Sequence, residues 1–282
     1  MGRSNRIAVL LTVVFVVFAL AVNIAPTTFG GGEQENACKK IILIAGKNAP
    51  GHGGPGQHFY EGGIELLKEC LDGSANVRGI ETQVIFERLL PKDPNILDGA
   101  DTIVIYSEGW SGHPLERPEW MEKIGELMSR GVGLVCLHYA VVPPEGNEGE
   151  WLEWIGGYYD MTGYSKNPFN SCVVSPGAKE HPICRGWESF AVYDEFYYRI
   201  RFKENDERLV PIMTAVLPKE KKQRESIAWA VERKDGGRGF GFTGGHFHCN
   251  WYIESFRKMV LNAVLWTAKV EVPQEGVGSA AE

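Results

Sequence analysis

Several signatures are missing from this chain, and each omission closes off a chemistry. There is no Gly-x-Ser-x-Gly, so the strand-to-helix elbow that presents a serine nucleophile is not written into it. There is no Gly-Lys-Ser/Thr, which excludes a P-loop cradle for nucleoside triphosphates. None of the six cysteines (Cys38, Cys70, Cys136, Cys172, Cys184 and Cys249) stands in Cys-x-x-Cys spacing, which argues against a zinc ribbon or a redox pair. Cys172 and Cys184 flank one loop-like segment and are the best candidates for a disulfide; six separate thiols fit as well. Positive charge is short too. Setting aside Arg3 and Arg6 near the N-terminus, the 29 basic residues become 27, against 36 acidic ones. That is the wrong sign for a phosphate backbone, so no nucleic acid is expected as a partner. No internal repeat is visible.

What remains is ordinary globular composition, 44% hydrophobic and 23% charged. Arg3 and Arg6 precede an apolar run from Ile7 to Val22 broken only by Thr12, and Ala19-Leu20-Ala21 offers a small-x-small cleavage site. Residues 1–25 therefore read as a signal peptide or an N-terminal anchor, and residues 26–38 as a polar, Gly-rich linker. The expected localisation is export to a periplasmic or extracellular space, or a membrane tether through residues 7–25. Residues 39–270 form the expected domain, with 271–282 a disordered tail.

Within the domain, Lys40–Ala45, Asp101–Tyr106 and Gly133–Leu137 are short, continuous apolar runs of the kind that fill strands buried on both faces. Glu81–Phe86 alternates as a further strand. Helices are expected over His58–Leu71 and over Pro118–Ser129, the second ending before Gly131. Strands alternating with helices predict an α/β fold, flavodoxin-like, with a doubly wound and mainly parallel sheet. The C-terminal half changes character. Asn170–Ser175, Ala191–Ile200, Val210–Leu217 and Ile227–Glu232 read as strands, and Lys234-Asp235-Gly236-Gly237 predicts an antiparallel hairpin leading into Gly239–Thr243. An amphipathic helix over Ile253–Thr267 closes the domain.

The histidines fall after the strands: His52 and His58, then Trp110 and His113, then His138, then His246 and His248. In an open α/β sheet, ligands gather at the carboxyl ends of the strands, so the clustering carries more weight than any one member. Gly51-x-Gly53-x-x-Gly56 matches the dinucleotide fingerprint in letters only, because Gly46 to Pro50 separate it from the strand and Pro55 removes an N–H. It is expected to shape the site instead. Cys136 lies inside an apolar run, so His138 is the group expected to be presented. Asp194-Glu195 puts two acids into an aromatic stretch, suited to acid–base work or to a salt bridge with Arg199 or Arg201. Trp110 and Trp251 belong to a tryptophan complement that fits either sugar stacking or core packing.

Leu-His-Tyr-Ala (137–140), Asp-Glu-Phe-Tyr-Tyr (194–198) and Gly-Gly-His-Phe-His (244–248), in that order, resemble the trehalose-utilisation, or ThuA-like, family. Gly-Pro-Gly-Gln-His (54–58) and Trp-Ser-Gly-His-Pro (110–114) are similar to a secreted branch of it. The resemblance implies a class I glutamine amidotransferase-like sheet in which the elbow cysteine is absent and His138 stands near its place. It also implies a small carbohydrate substrate, a disaccharide or glycoside oxidised to a ketone at C3, with His138, Glu195 and His246 as the catalytic set.

A C3 ketone acidifies the proton on C2, so His138 or Glu195 would remove it and His246 would act as acid or polarise the ketone. The same three residues would instead hold a divalent, zinc-like metal, two histidines and one carboxylate forming a common open site. His58, His113, Trp110, Tyr139, His248 and Trp251 are the expected substrate-binding residues. Two other readings stay open: a metal-dependent hydrolase or isomerase on unoxidised sugars, and a catalytically silent sugar-binding or scaffolding module for an exported dehydrogenase. A homo-oligomer is compatible with all three.

Overall fold

The computed structural model describes residues 38–47, 51–218 and 223–279; the expected signal or anchor and the linker up to residue 37 lie outside the described residues. Among these, no helix is long and apolar enough to cross a membrane.

The apolar runs become strands because nothing in them needs water. β1 (Lys39–Ala45) leads through α1 (Tyr60–Asp72) to β2 (Ile80–Phe86), then to β3 (Thr102–Tyr106), α2 (Pro118–Ser129) and β4 (Gly133–Leu137). Every residue of β3 and β4 is buried, as expected of strands covered on both sides. A short helix α3 (Glu148–Trp154), which the sequence pattern does not announce, precedes β5 (Gly157–Tyr158), β6 (Asn170–Pro176), β7 (Phe190–Asp194) and β8 (Arg201–Phe202). β9 (Val210–Val216), β10 (Arg224–Glu232), β11 (Arg238–Phe242) and α4 (Glu254–Thr267) complete the chain.

Nine strands form one sheet in the order β2-β1-β3-β4-β11-β10-β9-β6-β7, while β5 and β8 pair separately. β2, β1, β3, β4 and β11 run parallel, and from β10 onward each neighbour is antiparallel. The Asp-Gly turn joins β10 to β11 as expected, with Gly236 at φ 80°. Alternate strand residues face opposite layers. Leu43, Tyr106, Val135 and Phe240 pack with α1 and α4, whereas Ile44, Ile105, Cys136 and Trp229 pack with Trp120 of α2 and Trp151 of α3.

Four expectations are corrected. The strand proposed over Ala191–Ile200 stops at Asp194, whose buried carboxylate accepts the N–H of Glu195 and turns the chain away. α1 begins at Tyr60 rather than His58, which sits at φ 48°, outside any helix. Cys172 and Cys184 are not joined: none of the six cysteines forms a disulfide, and the Cys184 thiol lies against the Ile212 carbonyl. The segment beyond Val272 packs through residue 279. Val277 is fully buried, its N–H donates to Asn262 Oδ1, and the N–H of Gly278 donates to Asn76 Oδ1. Gly186, at φ 70°, allows that approach, since a Cβ there would lie 1.8 Å from the Glu275 carbonyl.

A candidate metal centre at the strand ends

Register determines what meets at the site. Ala45 pairs with Tyr106, Tyr106 with Leu137 and Leu137 with Phe242, so the carboxyl ends of β1, β3, β4 and β11 lie level. β7 runs in the same direction, and β6 holds to β9 through only two residue pairs. The β6–β7 hairpin can therefore leave the sheet and return Asp194 to the β11 end, where its Oδ2 accepts the Gly245 N–H at 2.7 Å.

Three site residues occupy the left-handed region that L-residues avoid: His58 (φ 48°), Trp110 (φ 52°) and His138 (φ 53°). Such positions cost on the order of 1–3 kcal/mol each and persist where surrounding structure enforces them. His138 takes its strain at the end of β4, the place at which an elbow presents a nucleophile. Cys136 stays two residues back, fully buried, and burial pushes its thiol far up. The glycine-rich loop is tied down rather than open. His58 N–H donates to His246 O at 2.9 Å, His248 N–H donates to Gly56 O at 2.8 Å, and Gln57 bridges Phe247.

Together these constraints bring one donor atom each from His58, His138, His246 and Glu195 within 4.8 Å of one another. His58 Nε2 and His138 Nε2 are 3.1 Å apart, His246 Nδ1 is 3.2 Å from Glu195 Oε2, and His138 Nε2 is 3.7 Å from the same oxygen. Tetrahedral zinc with bonds of about 2.0–2.1 Å needs donors about 3.3 Å apart. The observed edges bracket that value. Burial, then the neighbouring His52 and His246, push the His58 imidazole down to about 3; burial, then His58, hold His138 well below its ordinary 6.5. Both rings are therefore neutral near pH 7. His138 Nδ1 donates to Thr243 O at 2.9 Å, which leaves the lone pair on Nε2. Tyr197 OH at 3.3 Å and His58 Nε2 at 3.1 Å both face that single lone pair, and only one hydrogen can use it. His246 Nε2 is buried without a protein partner. Three imidazoles and one carboxyl group converging in this way are a donor set that fits a divalent, zinc-type cation.

A second group supports the first. Asp194 also accepts the His246 N–H at 3.1 Å, and Tyr106 OH donates to Gly245 O, so the Gly244–His248 loop is held from both sides. Burial pushes the Asp194 carboxyl up, opposed by its backbone N–H donors. Asn167 Nδ2 donates to Glu195 Oε1 at 3.1 Å, leaving Oε2 for the cluster. Beside the cluster, His52 Nδ1 lies 2.6 Å from the buried Glu108 Oε2, and the His52 ring is 4.1 Å from that of His58.

His138, Glu195 and His246 thus meet, and His58, expected only to orient sugar hydroxyls, joins them as a fourth donor. Tyr139 lies half-buried with its ring 5.5 Å from that of His52, and Trp110 lines a neighbouring pocket. His248 turns outward against Phe59 and Tyr252. His113 and Trp251 are not brought to the site. His113 is buried against Trp151, its Nδ1 capping the Leu115 N–H, and Trp251 is core between Tyr106 and Phe256. The alternative reading, a salt bridge of Asp194 or Glu195 with Arg199 or Arg201, does not form among the described residues, Arg201 binding Asp160 instead. Glu108 and Asn167 escaped the sequence reading, and His52 and Tyr197, though within the strand-end histidines and the Asp-Glu-Phe-Tyr-Tyr motif, were given no role of their own. The one available signal was Glu108, an acid two residues beyond an all-apolar strand.

Among curated proteins none matches the chain. Among solved structures it is similar to a ThuA-like protein from Parabacteroides merdae (17% identity, TM-score 0.60, covering 86% of this chain and 98% of that one). A ThuA-like protein from Bacteroides uniformis is also similar (15% identity, TM-score 0.55, 82% and 89% covered). So is the cytoplasmic protein STM3548 from Salmonella typhimurium (13% identity, TM-score 0.56, 81% and 98% covered). These likenesses concern the fold, the doubly wound α/β sheet with an antiparallel C-terminal part that was expected. The trehalose utilisation family, ThuA, matches residues 54–267, a span that holds all four converging donors, and the chain belongs to that family.

Proposed function

We propose that the chain is an enzyme of carbohydrate metabolism acting on disaccharides or glycosides whose ring is oxidised to a ketone at C3, with a divalent cation held by His58, His138, His246 and Glu195. The observation that carries this reading is the convergence of four donors within 4.8 Å, at strand ends, in a member of the trehalose utilisation family.

A divalent cation supplies a Lewis acid that draws electron density from a ketone oxygen. The proton chemistry belongs to the chain. His138 is fully buried with Nδ1 committed to Thr243, so its orientation suits a ligand better than the base the sequence suggested. His52 suits the base. Glu108 accepts from Nδ1, which leaves the lone pair on Nε2 of a ring at the edge of the cluster. When His52 takes the C2 proton, the C–H electron pair moves toward the ketone oxygen. Expulsion of the C1 substituent then breaks the glycosidic C–O bond and leaves a C1–C2 double bond. His52 returns its proton to the departing oxygen, and addition of water completes net hydrolysis. Were Nδ1 of His246 to hold the cation beside Glu195, its Nε2 would keep a hydrogen for a sugar oxygen.

The test is turnover of a disaccharide oxidised at C3 by the full-length protein, with metal content measured in parallel. His138→Ala and His246→Ala should abolish both. His52→Ala should lower turnover by about 100-fold and leave the metal in place. Turnover that survives both ligand changes would sink the reading.

A further inference from the structure

Next to the cluster lies a pocket of about 470 Å³, within the range of small-molecule sites. Trp110, Tyr158, Tyr159 and Met161 form apolar walls, and Glu148 and Asp160 stand among them. Its wall is wired to the cluster. Tyr159 OH donates to Asn167 Oδ1 at 3.1 Å, and Asn167 Nδ2 donates to Glu195 Oε1. The Tyr159 ring lies 4.9 Å from Tyr197, whose hydroxyl reaches His138 Nε2. Tyr159 N–H also donates to Val141 O, in the turn that begins with His138. Trp110 is held toward this space in the strained left-handed conformation.

We infer that this pocket receives the second, non-reacting ring of a two-ring substrate, so that the bond between the rings lies beside the cluster. The inference rests on the function proposed above and narrows it to disaccharides. A pyranose has an apolar face of axial C–H bonds that stacks on aromatic rings, and a rim of hydroxyls that seeks acceptors. Aromatic walls with two carboxylates match both. Asp160 is held by Arg201 (2.7 Å) and by the Thr162 N–H (2.7 Å), so its oxygens stay put as a sugar binds. A one-ring glycoside would fill the cluster end only and forgo these contacts.

The test is calorimetric titration of the full-length protein, purified without chelator, with trehalose, maltose and sucrose against methyl α-glucoside, with metal content recorded. At least one two-ring sugar should bind at least about tenfold more tightly than methyl α-glucoside, about 1.4 kcal/mol. Trp110→Ala should cut that ratio to below about threefold at unchanged metal content, and Met161→Ala, at the exposed rim, should cut it partway. Equal affinity for one-ring and two-ring sugars in a metal-holding protein that binds both overturns the subsite and leaves the proposed function standing. A ratio untouched by Trp110→Ala overturns it too. A folded protein that holds no metal overturns the cation on which the proposed function relies, whereas a metal-holding protein that binds none of these sugars overturns the subsite alone.

Discussion

His138 occupies a backbone conformation that costs an L-residue about 1–2 kcal/mol, and Thr243 O fixes its ring from behind. One other donor of the cluster is likewise steered by a group that does not itself donate to the centre. Asn167 does this for Glu195 through Oε1. Such supporting partners typically alter metal affinity by about 10–100-fold. Asn167→Ala should therefore weaken zinc binding by roughly tenfold while stoichiometry is kept, as read by competition with a fluorescent chelator. Unchanged affinity would mean that Glu195 is oriented by other contacts.

At the scale of elements, the loop Gly244–His248 depends on a carboxylate from another hairpin. Asp194→Ala removes a fully buried acceptor from Glu195, Gly245 and His246, and should cost roughly 2–4 kcal/mol in urea unfolding. His113 illustrates a structural histidine. Burial holds it down at about 3 against 6.5. Between those values the unfolded chain takes up the proton and the folded chain does not, so stability falls as pH drops from 6.5 toward 3 and is fully present above 6.5. His113→Asn, which keeps a capping acceptor, should flatten the pH dependence of unfolding by about one proton, about 1.4 kcal/mol per pH unit. An unchanged slope would place the titration elsewhere.

These two elements also mark how far the sequence could be read. Pro118–Ser129 matches α2, and the strands over Lys40–Ala45 and Glu81–Phe86 fall within one residue of β1 and β2, because apolar periodicity is local. The end of β7 at Asp194 was illegible because its cause, the Gly245 and His246 N–H groups, lies about fifty residues away. His58 was placed in a helix for the same reason: its conformation is set by Phe247 and His246. His113 and Trp251 share residue type and strand-end position with site residues, and only their partners separate them: Trp151 and the Leu115 N–H for His113, Tyr106 and Phe256 for Trp251.

For the whole molecule, the C-terminal segment is part of the fold. Deleting residues 274–282 removes the buried Val277 side chain from the core and leaves the buried Asn262 Oδ1 without the Val277 N–H, which should cost roughly 3 kcal/mol or more and lower the melting midpoint. An unaltered midpoint would make the tail dispensable. The central claim concerns what the fold assembles at its strand ends, and a ligand that binds only the folded state must stabilise it. The most direct measurement is calorimetric titration of the chelator-stripped full-length protein with Zn²⁺, beside His58→Ala. One ion should bind per wild-type chain, with a rise in melting temperature on binding and at least about tenfold weaker binding in His58→Ala. A folded wild-type protein that binds no divalent ion, or one whose affinity is indifferent to His58, would contradict that claim.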